Sequence, residues 1–358
     1  MMILFALLFT THGLLLAISL FVCTLVSFFL VYIVYRFCFR YNILDIPNNR
    51  SSHKKPTALM GGIGFIIAFL LGYGVMLWQQ MIRFDIHFFV LLLASLFIAI
   101  TSLIDDIKRL GAGKRFAVHI LGASVVYFAG YKLSLFYLPF MTIDFSFINY
   151  FLTVIFIVAV TNIYNFMDGI DGYAGGIGIL GSAALAAFAF IMGDYSTATI
   201  ILILVASLIG FLIWNYPKAK IFMGDVGSAF LGFFFAAMII KISQNNESSI
   251  SIIPLIMIFG VFIMDASVTL IRRALNGEKV WEAHRSHFYQ RLNILGWSHK
   301  KIIWLEYCHM LFCCWLSYLY IQVNPVYQLV IIFCFIISFI VKFVYITRLE
   351  RLGITNGR

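Results

Sequence analysis

Between Asn162 and Gly172 the chain reads NIYNFMDGIDG, with two asparagines and two aspartates at three-residue intervals. That spacing puts Asn162 and Asn165 on adjoining turns of a helix end, and Gly169 and Gly172 favour breaking out of it. Four oxygen-bearing side chains, those of Asn162, Asn165, Asp168 and Asp171, then converge. A second stretch, IFMGDVGS, sets Asp225 just before a helix start, where Gly224, Gly227 and Ser228 let backbone N–H groups approach an anion closely. A carboxylate beside an anion site makes most sense with a divalent cation between the two. Oxygen-only donors next to phosphate favour Mg2+, with Mn2+ as the alternative, over zinc. Asp105 and Asp106 are adjacent and lead into Lys108 and Arg109. Neighbouring side chains on a helix cannot point the same way, so one acid is expected to bind metal or act as a base while the other holds the loop. Balancing the adjacent basic residues is the competing role for this pair.

Further along, EAHRSHFYQRL packs His284, Arg285, His287 and Arg291 into eight positions. Guanidinium forks grip phosphate oxygens, and imidazole can donate to a diphosphate or shuttle a proton; an amphipathic surface helix is the alternative. Arg50 and His53 are added as candidate phosphate contacts. Asp265 lies inside an apolar run, where an ionisable residue costs roughly 2.5–3.5 kcal/mol unless sheltered or paired. It is read equally as part of an ion network, with Arg272 two turns on, or as a substrate contact. His119 and His309, alone in apolar runs, are assigned no role.

Positioning these groups falls to a very apolar chain. Of its 358 residues, 63% are hydrophobic and 11% charged, against roughly a quarter charged in soluble domains. A bilayer core takes about 20 apolar residues per helix. About eleven such runs occur, near 13–36, 58–78, 86–104, 115–131, 147–163, 173–192, 197–215, 227–243, 250–275, 302–322 and 326–346. None alternates as barrel strands do, so the fold class is all-α: a polytopic membrane protein of about eleven transmembrane helices, one domain over 1–358. The first run lacks a basic segment before Arg36 and is expected to be a retained span with its N-terminus outside. The six cysteines show no metal-ligand spacing and read as packing residues.

Basic residues partition by connection. Twenty-two of the 25 Lys and Arg fall after odd-numbered runs or in the C-terminal segment, leaving Arg83, Lys132 and Lys241 opposite. The crowded side is expected to be the cytoplasm, with the C-terminus on it. Every motif above sits there, in connections near 37–57, 104–115, 162–172, 216–228 and 276–301, so the active site is expected on the cytoplasmic face. The net charge of +10 suits anionic lipids or a phosphorylated soluble substrate; short membrane-pinned loops suit nucleic acid poorly. A lipid-linked sugar transporter or flippase is the competing class. Transporters bind near the bilayer midplane, whereas the polar motifs here gather at one face.

Taken together, DIPNNRSSHKKPTALMGG, the DD pair, NIYNFMDGIDG, FMGDVGS and HRSHFYQRL, over about residues 45–292, resemble the polyprenyl-phosphate N-acetylhexosamine-1-phosphate transferases, glycosyltransferase family 4. Two departures stand out. PTALMGG lacks the family's second proline, and His284-Arg285-Ser286-His287 replaces the consecutive histidines of the phospho-N-acetylmuramoyl-pentapeptide branch. The second departure points to the sugar-nucleotide branch that initiates O-antigen or related envelope glycans; the pentapeptide branch remains the alternative. The resemblance implies a bacterial inner-membrane enzyme whose partners are a UDP-N-acetylated sugar, undecaprenyl phosphate and membrane lipids, with a homodimer left open. A lipid-phosphate oxygen would attack the phosphorus bearing the sugar, and UMP would leave. Carried onto this chain, it implies Asp225 and Asn165 as magnesium ligands, and Asp168, counted with the catalytic acids, and Asp171 as walls of the nucleotide and metal pocket. Asp105 and Asp106 would deprotonate the acceptor or attack first, and His284, Arg285 and His287 would hold the diphosphate or sugar. Direct attack by the lipid is favoured over an aspartyl-phosphate intermediate, because a phosphate is already largely ionised near neutral pH.

Overall fold

The segment DVGSAFLGFFFAAMIIKIS has no polar face, so it is stable only where other apolar helices surround it. In the computed structural model, which describes residues 11–47, 55–108, 110–244, 250–279 and 284–353, that helix is the axis of the fold. The helices in chain order are α1 (Thr11–Arg40), α2 (Gly62–Trp78), α3 (Ile86–Lys108), α4 (Ala112–Phe128), α5 (Asn149–Phe166), α6 (Tyr173–Ile191) and α7 (Tyr195–Asn215). There follow α8 (Asp225–Ser243), α9 (Ile252–Ile258), α10 (Gly260–Leu275), α11 (Phe288–Ile294), α12 (His299–Tyr320) and α13 (Pro325–Arg351). Around α8 stand α2, α3, α5, α6 and α9, while α4 fills the angle between α3 and α5. On one side α1 packs on α2 and α7; on the other α12 carries α9, α11 and α13.

Close approach to the axis depends on small residues, as expected where backbones must meet without water to drive them together. A Cβ on Gly62 would lie 2.6 Å from Cα of Gly227, and one on Gly232 would lie 2.8 Å from Cα of Thr161. Lipid faces the outer helices: Phe21, Phe29 and Ile33 of α1 and Phe333 and Val341 of α13 are all exposed.

Among the described residues, eight helices are long and apolar enough to cross a membrane, and a ninth span is formed if α9 and α10 count as one. The 17-residue helices α2 and α4 fill the remaining expected runs. The chain is therefore an all-α polytopic membrane protein. The run expected to be continuous over 250–275 breaks at Phe259, where the two halves meet at 85°. There the phenyl ring of Phe335 sits against Gly260, 2.5 Å from where a Cβ would be, so the turn admits α13 to the backbone.

Three details depart from the reading of the sequence. The connection after α4 forms a small antiparallel hairpin, β3 (Leu135–Leu138) with β4 (Met141–Asp144), joining β1 (Leu44–Asp45) and β2 (Thr57–Ala58) as the strands among the described residues. The FYQRL part of the HRSHFYQRL connection begins α11, the helical alternative, but with Phe288, Tyr289, Arg291 and Leu292 buried rather than on a surface. Lys342, counted with the basic C-terminal segment, lies inside α13 and is paired with Glu306.

Candidate functional site

At the start of α8 the odd-numbered connections knit together. Asn215 bridges two of them, its Oδ1 accepting from the Gly172 N–H at 2.9 Å and its Nδ2 donating to the Ile221 carbonyl at 2.9 Å. The Phe222 N–H donates to the Ala58 carbonyl at 2.8 Å, and the Gly62 N–H to the Met223 carbonyl at 2.9 Å. Gly172 (φ +75°) is left-handed and Gly224 (φ +73°, ψ 166°) extended at positive φ, conformations that glycine tolerates best, and each leads directly into a helix. Polar loops from distant parts of the sequence thus meet on one face, as the motif partition requires.

Around this start four carboxylates gather. Asp106 accepts long hydrogen bonds from the first two amides of α8, those of Asp225 at 3.4 Å and Val226 at 3.5 Å, so its carboxyl group lies at the positive end of that helix. Asp105 points the other way and accepts from Nη1 of Arg115 at 2.9 Å; the same nitrogen lies 3.4 Å from Asp225 Oδ2. Both members of the pair therefore serve one cluster from opposite sides, where only one was expected to face it. Asn165 donates to Ser228 Oγ at 3.0 Å, which in turn donates to the Gly224 carbonyl at 3.2 Å. Half-buried Asp168 completes the group. Burial first, then the charges of Asp225 and Asp171, push its pKa up to about 7.

Such a concentration of negative charge repels a phosphorylated ligand unless a cation intervenes. The donors are oxygens throughout, and the buried Oδ1 of Asp105 has no hydrogen-bond partner among the described residues. No three acidic, histidine or cysteine side chains among the described residues converge closely enough to cage a metal. Magnesium rarely asks for that; one or two carboxylates with substrate phosphates and waters suffice, so the donor set fits it.

The cluster opens into a groove of about 1130 Å³. Arg115, His119, Asn162, Asn165 and Asp225 form its polar end, and Phe116, Phe151, Val154, Ile155, Val158 and Ile271 line the remainder with apolar surface. Because α10 turns away from α9, its Leu270, Ile271 and Ala274 become the wall opposite α4 and α5. Asn162 is steadied within it by donating to the Val158 carbonyl at 2.7 Å and to His119 Nδ1 at 3.3 Å.

The HRSHFYQRL connection docks beside this site and is held from below. Asp265, fully buried, accepts from the amides of Phe288 (3.0 Å) and Tyr289 (3.2 Å) and from the Thr269 hydroxyl (3.2 Å), and faces Nδ1 of His287 at 3.2 Å. Asp265 is therefore held in a structural network of amides, a hydroxyl and His287, not by Arg272 as expected. Arg272 donates to the Ser286 carbonyl at 2.8 Å, and Arg291 forks onto Glu350, with Nε–Oε1 at 2.6 Å. So secured, α11 brings the buried ring of Tyr289 against Gly169, whose missing side chain makes the space for its hydroxyl. Burial and the charges of Asp265 and Asp168 hold that phenol well above its usual pKa.

The candidate residues thus divide. Asp105, Asp106, Asn165, Asp168 and Asp225 form the cluster, and Asn162 the polar end of the groove. Asp171 instead accepts from the Ala219 N–H at 3.1 Å and pairs with His299 at 3.3 Å, bracing three connections. His287 is buried against Asp265, whereas His284 and Arg285 remain half-buried, Arg285 reaching Asn293 Oδ1 at 3.4 Å. Arg50 and His53 lie outside the described residues. Arg115 and His119 were missed. Their four-residue separation on α4, which puts both on one helix face, was the available signal.

Fold and site define a multi-pass membrane enzyme with its polar chemistry at one face. Comparison with known proteins narrows the class. The profile of Glycosyl transferase family 4 matches residues 88–243, the stretch carrying the acid pair, Asp225 and all of the groove but its α10 wall. A probable undecaprenyl-phosphate N-acetylglucosaminyl 1-phosphate transferase of Bacillus subtilis is 29% identical over 280 residues, covering 77% of this chain and 76% of the relative. The decaprenyl-phosphate N-acetylglucosaminephosphotransferase of Mycobacterium leprae is 29% identical over 297 residues, covering 75% and 74%. A phospho-N-acetylmuramoyl-pentapeptide-transferase of Streptococcus pneumoniae is 26% identical over 274 residues, covering 74% and 81%. Together the profile and these relatives support the polyprenyl-phosphate hexosamine-1-phosphate transferase family as the one this chain is similar to.

Proposed function

We propose that this protein transfers an N-acetylated sugar 1-phosphate from a UDP-sugar to undecaprenyl phosphate, releasing UMP and starting an O-antigen or related envelope glycan. The observation that carries the reading is the junction at Asp225, where an acidic cluster suited to a cation and diphosphate opens into an apolar groove suited to a prenyl chain. Relatives named for N-acetylglucosamine transfer and the absence of consecutive histidines both support the sugar-nucleotide branch. The motif-bearing face is assigned to the cytoplasm of a bacterial inner membrane, since it collects 21 of the 25 Lys and Arg once Lys342, paired inside the bundle, is set aside.

Asp225, with Asn165 beside it, would hold Mg2+ or Mn2+, which when bound neutralises charge on the diphosphate. The acceptor's phosphate oxygen forms the new bond to the sugar-bearing phosphorus, and the bond from that phosphorus to the UMP oxygen breaks, so the anomeric C–O bond survives. Direct attack is favoured: Asp105 is engaged by Arg115 and Asp106 by the amides of α8, donors that blunt a carboxylate as nucleophile. Asp168 would form the donor-side wall, with His284 and Arg285 bordering the sugar and phosphates.

The test is nucleotide release by purified protein given undecaprenyl phosphate, Mg2+ and a panel of UDP-N-acetylhexosamines and their deoxy relatives. UMP release with one sugar, stopped by chelator, is expected and would name the substrate. Release of UDP would mean glycosyl rather than phosphoglycosyl transfer, and silence across the panel would overturn the reading.

A further inference from the structure

Arg115 stands where positive charge is required but on a side chain that a metal would need. Its Nη1 donates to Asp105 at 2.9 Å and approaches Asp225 Oδ2 at 3.4 Å. The guanidinium also lines the polar end of the apolar groove. Its side chain is 38% exposed and that of Asp225 35%, an openness at which ion pairs are weak and readily exchanged. Meanwhile the second oxygen of Asp105 is buried without a partner among the described residues, so Arg115 leaves the acid cluster incompletely satisfied. Guanidinium is the side chain best shaped to fork onto a phosphate, and at the groove mouth it is placed to meet one.

We propose that Arg115 is an exchangeable counter-ion, holding Asp225 while no divalent cation is bound and passing to the acceptor lipid's phosphate when one is. The inference rests on the reading above of Asp225 as a cation ligand and of the groove as the acceptor's channel. Without acceptor, Arg115 competes with the cation for Asp225. With acceptor, the phosphate draws the guanidinium away and the cation binds more tightly. Linkage makes the effect reciprocal, so the cation also tightens acceptor binding.

Mn2+ binding to the full chain in detergent, read from the electron paramagnetic resonance signal of free Mn2+, tests this with and without farnesyl phosphate. Wild type is expected to tighten roughly 5- to 20-fold when farnesyl phosphate is added, the usual range for coupled sites. Arg115→Met is expected to bind Mn2+ tightly from the outset and to respond less than about twofold, with Arg115→Lys partly restoring the response. Arg115→Gln repeats the measurement should Arg115→Met fold poorly. Affinity equal to or weaker than wild type in either neutral variant overturns the proposal. Asp225→Asn separates the two layers. If it abolishes Mn2+ binding while the neutral Arg115 variants match wild type, the cation site stands and the exchange falls. If wild type binds Mn2+ no better than Asp225→Asn, the cation assignment itself fails and takes the exchange with it.

Discussion

Asp225 and Asp265 are both acids on helices buried in this bundle, and their surroundings are opposite. Asp225 is about a third exposed, with one guanidinium at 3.4 Å and the Asn165 amide beside it, in company with three other carboxylates. Asp265 has no exposed surface and four hydrogen-bonding groups within 3.2 Å. A buried charge whose bonding capacity is filled holds structure in place; one left short of partners has capacity for a ligand. The same contrast extends to neighbours. Arg115 is half-open and shared between two acids, whereas Arg291 forks onto Glu350 and Lys342 meets Glu306 at 2.7 Å inside the helix bundle.

The sharpest way to break this comparison is to neutralise each acid. Asp225→Asn keeps the shape, so it should lower UMP release on the order of a thousand-fold, the scale of losing a charge-stabilising group at a reacting centre, with little change in melting temperature. Asp265→Ala should do the reverse in kind. Stranding His287 and two buried amides should cost roughly 3–5 kcal/mol of stability, read by unfolding in mixed micelles. A stable but inactive Asp265→Ala protein would place that acid in the chemistry and dissolve the distinction.

What could be read beforehand follows the same line. Helix positions were legible because about 20 apolar residues in a row leave few alternatives. The cluster was legible because acids, amides and glycines at helix ends are costly there without a function. The partners were hidden. Nothing local in EAHRSH says that His287 turns to an aspartate 22 positions earlier, or that Asp171 braces Ala219 and His299; those are contacts of the assembled bundle. Arg115 looked like one more charge on a basic face. Glu306 and Lys342 were different, since each is ionisable within an apolar run and the rule that singled out Asp265 applied equally to them.

That pair offers the next measurement. Lys342→Met alone leaves Glu306 buried and unpaired, and should cost roughly 3–5 kcal/mol. Adding Glu306→Leu should recover most of the loss, because two apolar side chains replace a desolvated ion pair at little net cost. UMP release should follow the amount of folded protein in both. A double variant that folds fully yet remains inactive would show that this region does more than hold α12 and α13 together.

The smallest effect sharpens the boundary between the regions, where His284 stands beside His287. Burial first, then the neighbouring charges of His287, Arg273 and Arg272, lower its pKa to about 4. The folded state therefore resists protonating this ring, which is neutral above pH 6 and gains charge only as pH falls toward its lowered value. If it borders the sugar and phosphates, it does so as a hydrogen-bond donor rather than a cation. His284→Gln, which keeps a donor, should lower UMP release less than about tenfold, the scale of one neutral hydrogen bond, and leave the pH–rate profile between 6 and 8 unchanged. A lost or shifted limb in that range would mean that the imidazole is charged during turnover. It would then belong with Arg115 and Asp225 among the groups that change partners when ligands arrive, and the line between the two regions would run through α11 rather than beside it.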